Sequence, residues 1–333
     1  MSRKKHNRSC GIGGQAVLEG VMMKKGDLYA VTVRKPDGEL EIDTEEFHGV
    51  LHGNKIKNTP FIRGIFNFVD SLILGSRTLT YSANFFEDET AKETSTDQWF
   101  KKVFKDKAES VANGIIVTVS IILAIGIFMV LPYFISSLLN SFVRNDTVLA
   151  IIEGIIRLLI FVGYVVLISA MEDIKRVYMY HGAEHKCINC IERGRALTVK
   201  NVMSSSRLHK RCGTSFMLFV MMVSIILFMF IKVDAPVMRV VVRILLVPVI
   251  AGISYEIIRL AGNNSSNIFV KIISAPGMWL QTLTTKEPTE DMVEVAIKSV
   301  EAVFDWKEYL KDEFGYDVDA VESENTEKED VPS

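Results

Sequence analysis

Thr214-Ser-Phe-Met-Leu-Phe-Val-Met-Met-Val-Ser-Ile-Ile-Leu-Phe-Met-Phe-Ile231 runs for 18 residues without an ionisable side chain. A bilayer's hydrocarbon is crossed by a helix of roughly 20 apolar residues, and the amphipathic stripe of a soluble helix would break such a run with charges. Three further stretches read the same way: Gly114–Leu139, Val148–Met171 and Val237–Leu260. Short polar links, Asn140–Thr147 and Lys232–Pro236, join the first to the second and the third to the fourth, giving two helical hairpins. The expected fold is therefore mainly α: a polytopic membrane protein with about four transmembrane helices.

Composition agrees. Hydrophobic residues make up 49% of the 333, and mean hydropathy is +0.24, too apolar for an ordinary soluble enzyme. A net charge of −2 gives no argument for nucleic-acid binding. Four cysteines cannot staple a chain of this length, and three of them lie beside histidines, which points to metal ligation or reduced thiols rather than disulfides. Met1–Cys10 is polar and basic with no apolar segment after it, so no cleavable signal peptide is expected.

Charge sets the orientation. Lys101, Lys102, Lys105 and Lys107 precede the first span, and Lys175, Arg176, Lys186, Arg193, Arg195, Lys200, Arg207, Lys210 and Arg211 fill the connection between the second and third. The hairpin links carry only Arg144 and Lys232. Positive charge stays on the cytoplasmic side, so both termini and the 172–213 connection are expected there.

Outside the spans, residues 1–60 read as a small strand-containing cytoplasmic domain. Leu28–Arg34 and Glu39–Thr44 flank the turn Lys35-Pro36-Asp37-Gly38, and Val17–Met23 supplies a third strand. Residues 61–110 comprise an amphipathic helix over Phe61–Phe86, at the membrane surface or packed on the bundle, and the polar linker Glu87–Asp97. Residues 111–262 form the transmembrane domain. Residues 263–312 hold the loop Asn263–Asn267, an interfacial helix over Ile268–Leu283 and a soluble helix over Glu290–Leu310; 313–333 is an acidic, disordered tail.

Chemistry concentrates in the 172–213 connection. His181-x-x-Glu184-His185 places three side chains on one helical face, where two imidazoles share an ion and a carboxylate serves as general base. His209 and Cys212 add nearby donors. A structural reading competes: Cys187-x-x-Cys190 followed by His209-x-x-Cys212 matches a zinc-ribbon spacing, which would close the ion off from water. A third reading makes the histidines ordinary hydrogen-bonding groups and the cysteines buried apolar ones.

Several motifs resemble the bacterial DUF1385 (YqhQ-like) membrane proteins: Gly13-Gly-Gln-Ala-Val-Leu-Glu-Gly-Val-Met-Met23, Tyr180-His-Gly-Ala-Glu-His-Lys186, Arg207-Leu-His-Lys-Arg-Cys-Gly-Thr-Ser-Phe216 and Ala251-Gly-Ile-Ser-Tyr-Glu256. Pro276-Gly-Met-Trp-Leu-Gln281 and Leu283-Thr-Thr-Lys-Glu-Pro288 extend the resemblance over nearly the whole chain. It implies a multi-pass, metal-dependent protein without an assigned reaction. It also implies His181, His185, His209 and Cys212 as the core, with Glu184 acting or ligating, since cysteines at 187 and 190 are not part of the pattern.

Ionisable groups inside the spans are functional candidates by default. Glu153 and Arg157 read as a mutual pair, shared with Arg239 or Arg243. Glu256 reads as an additional ligand, as a partner orienting a histidine, or as an i,i+3 partner of Arg259. Gly11, Gly13 and Gly14 lack the Lys-Ser/Thr of a phosphate loop, so tight turning is their expected role.

Together these readings describe an integral membrane metalloprotein. Its leading function is a zinc-dependent hydrolase acting at the cytoplasmic membrane face on a peptide or lipid-linked substrate, with His181, His185 and His209 or Cys212 holding the ion and Glu184 as base. The rival is a non-enzymatic scaffold or regulator with a structural zinc. A small-solute transporter using Glu153, Arg157, Arg243 and Glu256 is a third, disfavoured by only four spans and no inverted repeat. The implied partner is the lipid bilayer.

Overall fold

The computed structural model describes residues 9–54, 56, 59–86, 108–139, 141–143, 145–231, 233, 235–263 and 268–318. The basic start at 1–8, the linker 87–97, Lys101, Lys102, Lys105, Lys107, Arg144, Lys232, the loop 264–267 and the acidic tail from 319 lie outside the described residues.

Four short strands open the chain: β1 (Ile12–Val17), β2 (Gly20–Lys25), β3 (Leu28–Arg34) and β4 (Leu40–Glu46) form an antiparallel sheet in the order β1-β2-β3-β4. Val17–Met23, expected as one strand, is broken: Leu18 and Glu19 make a two-residue hairpin between the paired Val17 and Gly20, with Glu19 at φ 49. The hydrophobic run hid a turn that carries neither Gly nor Asn at its centre.

Alternation along the strands builds two cores. Val21, Met23 and Ala30 face one way, toward Ala183, Ile188 and Ile191 of α5 (Glu172–Glu192) and Val293, Ala296 and Val300 of α10 (Glu290–Val303). Val17, Met22, Tyr29, Val31 and Val33 face the other way, against Leu74 of α1 (Ile62–Ala83). Each fully buried aliphatic side chain contributes about 1.5–3 kcal/mol. Ser299 pins α10 to the sheet by donating to the carbonyls of Val21 and Ala30.

Among the described residues, four helices are long and apolar enough to cross a membrane: Gly114–Ser137, Thr147–Ile168, Gly213–Phe230 and Val237–Leu260. The first is built from α2 (Ala108–Ile125), a π-helical turn (Gly126–Val130) and α3 (Leu131–Ser137). The others belong to α4 (Asp146–Ile168), α7 (Gly213–Phe230) and α8 (Pro236–Asn263), the last with Pro248 inside it. The 172–213 connection is mostly helical, as α5 and α6 (Val199–Met203). The helix expected over Ile268–Leu283 is α9 (Ile268–Thr284). Glu290–Leu310, expected as one helix, is two: α10 ends at Val303, and Asp305 caps α11 (Trp306–Phe314) by accepting from the Glu308 N–H at 2.9 Å.

The chain divides into two compact units, one of residues 1–86, 167–220 and 248–333, the other of 87–166 and 221–247. In the first, α1 approaches α8 closely: a Cβ on Gly64 would lie 2.7 Å from Tyr255 Cβ and 3.0 Å from Gly252 Cα. Arg63 beside it grips the Glu256 carboxylate with two nitrogens, and the Phe61 N–H donates to the same group. In the second unit, Glu153 sits between two arginines. Arg157 reaches it at 2.7 Å and Arg243 at 2.9 Å, and both guanidinium groups lie over the Phe228 ring. Arg157 Nε also donates to the Phe128 carbonyl in the π turn at 3.1 Å. Of the two arginines expected to share Glu153, Arg243 does so. Arg239 instead donates to the Val233 carbonyl and stacks on Tyr133.

Candidate metal centre

α5 carries His181, Glu184 and His185 on one face, and Cys212 ends the chain segment before α7. The donor atoms of His181, His185 and Cys212 lie within 4.8 Å of one another. His181 Nε2 is 3.2 Å from Cys212 Sγ, and the two imidazole centroids are 4.4 Å apart. Both rings are held from behind: His181 Nδ1–H donates to the Thr284 carbonyl at 2.9 Å, His185 Nδ1–H to the Arg207 carbonyl at 2.7 Å. A carbonyl can only accept, so each Nδ1 carries a proton and each Nε2 is the atom free to ligate. Backbone carbonyls orient metal-binding imidazoles in this way.

The electrostatics favour a thiolate. Burial pushes the Cys212 thiol up, but the His181 and His185 imidazoles beside it hold it well below the ordinary thiol range. Burial opposes charge on His181, yet the Cys212 sulfur and then the Glu184 carboxylate carry it up to about 9. Each of the two groups thus favours the charged form of the other. The thiolate is the form that ligates metals and attacks electrophiles.

Glu184 stands beside this pair and is almost fully buried, and its Oε2 has no hydrogen-bond partner. Burial raises its pKa, while His181 and His185, and the Gly14 N–H bonded to it, draw it back. An unpartnered buried polar atom costs about 1–3 kcal/mol, more when charged, and a cation or a proton removes that cost. The sheet supplies the other wall. A Cβ on Gly14 would meet Met22 O at 2.6 Å and the Glu184 carboxyl carbon at 3.0 Å, so this glycine serves close approach within a strand rather than the turning expected of it.

His209 is turned elsewhere. Gln281 accepts from its backbone N–H at 2.8 Å and donates to its carbonyl and to Ser215 Oγ, both at 2.7 Å. The ring centroid is 5.8 Å from that of His185, while Nε2 faces Glu192 Oε2 at 3.4 Å. Glu192 also binds Arg211 and accepts from the Cys10 N–H at 3.1 Å. Cys187 is buried in the apolar core, and Cys190 Sγ faces the carbonyls of Arg195 and Ala196. Neither lies in the His181–His185–Cys212 donor group. Glu256 is occupied by Arg63 rather than by a histidine or by Arg259.

Several supporting residues escaped the sequence reading. Glu192 lies seven residues, two turns, beyond His185 and so on its helical face, which is a signal the spacing did contain. The Thr284–Pro288 segment runs along α5 as a strap. Lys286 N–H donates to the Tyr178 carbonyl, Glu287 pairs with the buried Lys186 at 2.8 Å and with Arg207 at 3.2 Å, and Gly182 has no room for a side chain beneath the Lys286 carbonyl. No local pattern announces such a strap.

Residues 59–306 match the family described as "Protein of unknown function (DUF1385)". The chain is 35% identical over 295 residues to "Uncharacterized protein YqhQ" of Bacillus subtilis (strain 168), spanning 89% of this chain and 92% of that one. No solved structure matches.

Proposed function

We propose that this chain, which belongs to the DUF1385 family, is a membrane-embedded metalloprotein with the chemistry of a metal-dependent hydrolase. The observation that carries the reading is the convergence of His181, His185 and Cys212 beside the unpartnered Oε2 of Glu184. Two nitrogens and a sulfur with a neighbouring carboxylate suit zinc or another borderline divalent ion, and a three-donor set leaves a position for substrate. When bound, such an ion supplies Lewis acidity.

The chain's own groups do the rest. The Thr284 and Arg207 carbonyls fix the two rings, and the Gly14 N–H holds one side of the Glu184 carboxylate. Glu184 Oε2 then accepts a proton from water as general base, its basicity raised by burial. The four apolar helices support membrane association. The Lys and Arg distribution favours a cytoplasmic side for both termini and the 172–213 connection, where a peptide or lipid-linked substrate would be met.

A second reading has its own observation. Glu184, His185 and Cys212 are each less than a tenth exposed, as in a closed structural site.

Elemental analysis of the purified full chain separates these. About one zinc or iron per chain, lost in His185→Ala and in Cys212→Ser but kept in Cys187→Ser/Cys190→Ser, supports the His-His-Cys centre. Metal lost with the Cys187/Cys190 pair, or absent from every preparation, overturns it. Glu184→Gln decides the role: metal retained with turnover abolished supports the base, whereas loss of metal or an unchanged rate points to the closed structural site.

A further inference from the structure

We infer a second divalent-metal site, open to solvent, formed by Asp27, His48 and His52. Asp27 sits in the two-residue turn between β2 and β3, and the histidines follow β4. The two segments are already tied, since the Phe47 N–H donates to the Asp27 carbonyl at 2.8 Å. His48 Nδ1 and His52 Nδ1 each lie 3.8 Å from Asp27 Oδ2, and all three donor atoms fall within 4.8 Å of one another. Ligands bound at about 2.0–2.2 Å around a tetrahedral ion are about 3.3–3.6 Å apart. The two Asp27–histidine separations therefore need to shorten by only about 0.2–0.5 Å to match that spacing.

The surroundings suit a cation. Glu46 Oε2 is 3.3 Å from the other ring nitrogen of His48, the place a carboxylate takes when it orients a metal-bound imidazole. The nearby Lys24 ammonium donates to the Gly26 carbonyl and lies over the Phe47 ring. Two imidazoles and a carboxylate select the zinc, nickel and copper class over calcium or magnesium. Asp27, His48 and His52 are each about half exposed, so the remaining coordination positions are filled by solvent and the ion exchanges. Asp27 also lines a cleft with Phe47, Asn67, Asp70 and Tyr255, onto which those open positions border. This surface site shares no residue with the buried centre and stands whether or not that centre binds metal.

Calorimetric titration of the untagged full chain in detergent with nickel tests it. The expected result is a binding step in wild type that survives His185→Ala, disappears in His48→Ala/His52→Ala, and weakens about tenfold in Glu46→Gln. Asp27→Asn, nearly isosteric, must remove the step too, which covers the case in which the double variant fails to fold. No such step in wild type, a step unchanged in both the double variant and Asp27→Asn, or equal binding of calcium overturns the site.

Discussion

Gly14 shows how far one methyl group reaches. Its missing Cβ lets β1 lie against α5 so that its N–H meets the Glu184 carboxylate, and Gly14→Ala forces strand, Met22 carbonyl and carboxylate apart. Such overpacking costs about 1–3 kcal/mol, read as a lowered thermal midpoint, with metal content falling alongside. Glu192 governs acid sensitivity. Burial works against its charge, but the His209 and Cys10 N–H groups and the Arg211 guanidinium hold it below the ordinary 4.5. A depressed carboxylate contributes stability above its unfolded value and loses it as pH falls through the lower folded one. Denaturant midpoints followed down from neutral pH should fall less steeply in Glu192→Gln than in wild type. At this scale the sequence was half legible. The i, i+3, i+4 spacing put His181, Glu184 and His185 together because helix geometry alone decides it. Cys212 and His209 sit three residues apart, yet one reaches the centre and the other turns to Glu192, a choice made by Gln281 from α9 and beyond any local pattern.

Elements meet where side chains are smallest. Gly64 and Gly252 let α1 and α8 approach, and the Arg63–Glu256 bridge locks the crossing. Gly64→Val should destabilise by at least about 1–3 kcal/mol, measured by thermal unfolding, while Arg63→Lys, which loses the two-nitrogen grip, does less. Asp305→Ala removes the α11 cap at a cost of about 1 kcal/mol. Long apolar periods made the spans legible to within a few residues. What periodicity missed were interruptions: the turn at Leu18-Glu19 and the break at Phe304-Asp305 both fall inside continuous apolar patterns. The hydrogen-bond partner of Glu256, Arg63, was hidden for a related reason, since it lies 193 residues away on another helix.

Across the whole molecule, polarity decides what the spans tolerate. Among the described residues, Glu153 is the one carboxylate that meets the Arg157 and Arg243 guanidinium groups, and all three are buried. Glu153→Leu strands both cations and should cost about 3–5 kcal/mol in detergent, whereas Arg157→Leu leaves a balanced pair and costs less. If the four apolar helices cross a bilayer as proposed, their even number returns the chain to its starting side. A cysteine-accessibility scan should therefore label 37 and 307 from the same face and 143 from the opposite one; labelling of all three from one face would remove the two-hairpin topology.

The π turn at Gly126–Val130 has a bearing on how the first span is wound. A π turn holds one residue more than an α-helix needs. Here the surplus is in use, because the Phe128 carbonyl inside it receives Arg157. Deleting a single residue from Gly126–Val130 would restore regular winding and swing everything after it by about 100°. The shortened helix would be more regularly wound yet would no longer present that carbonyl to Arg157, so local regularity and the fit of the neighbouring helix oppose each other here.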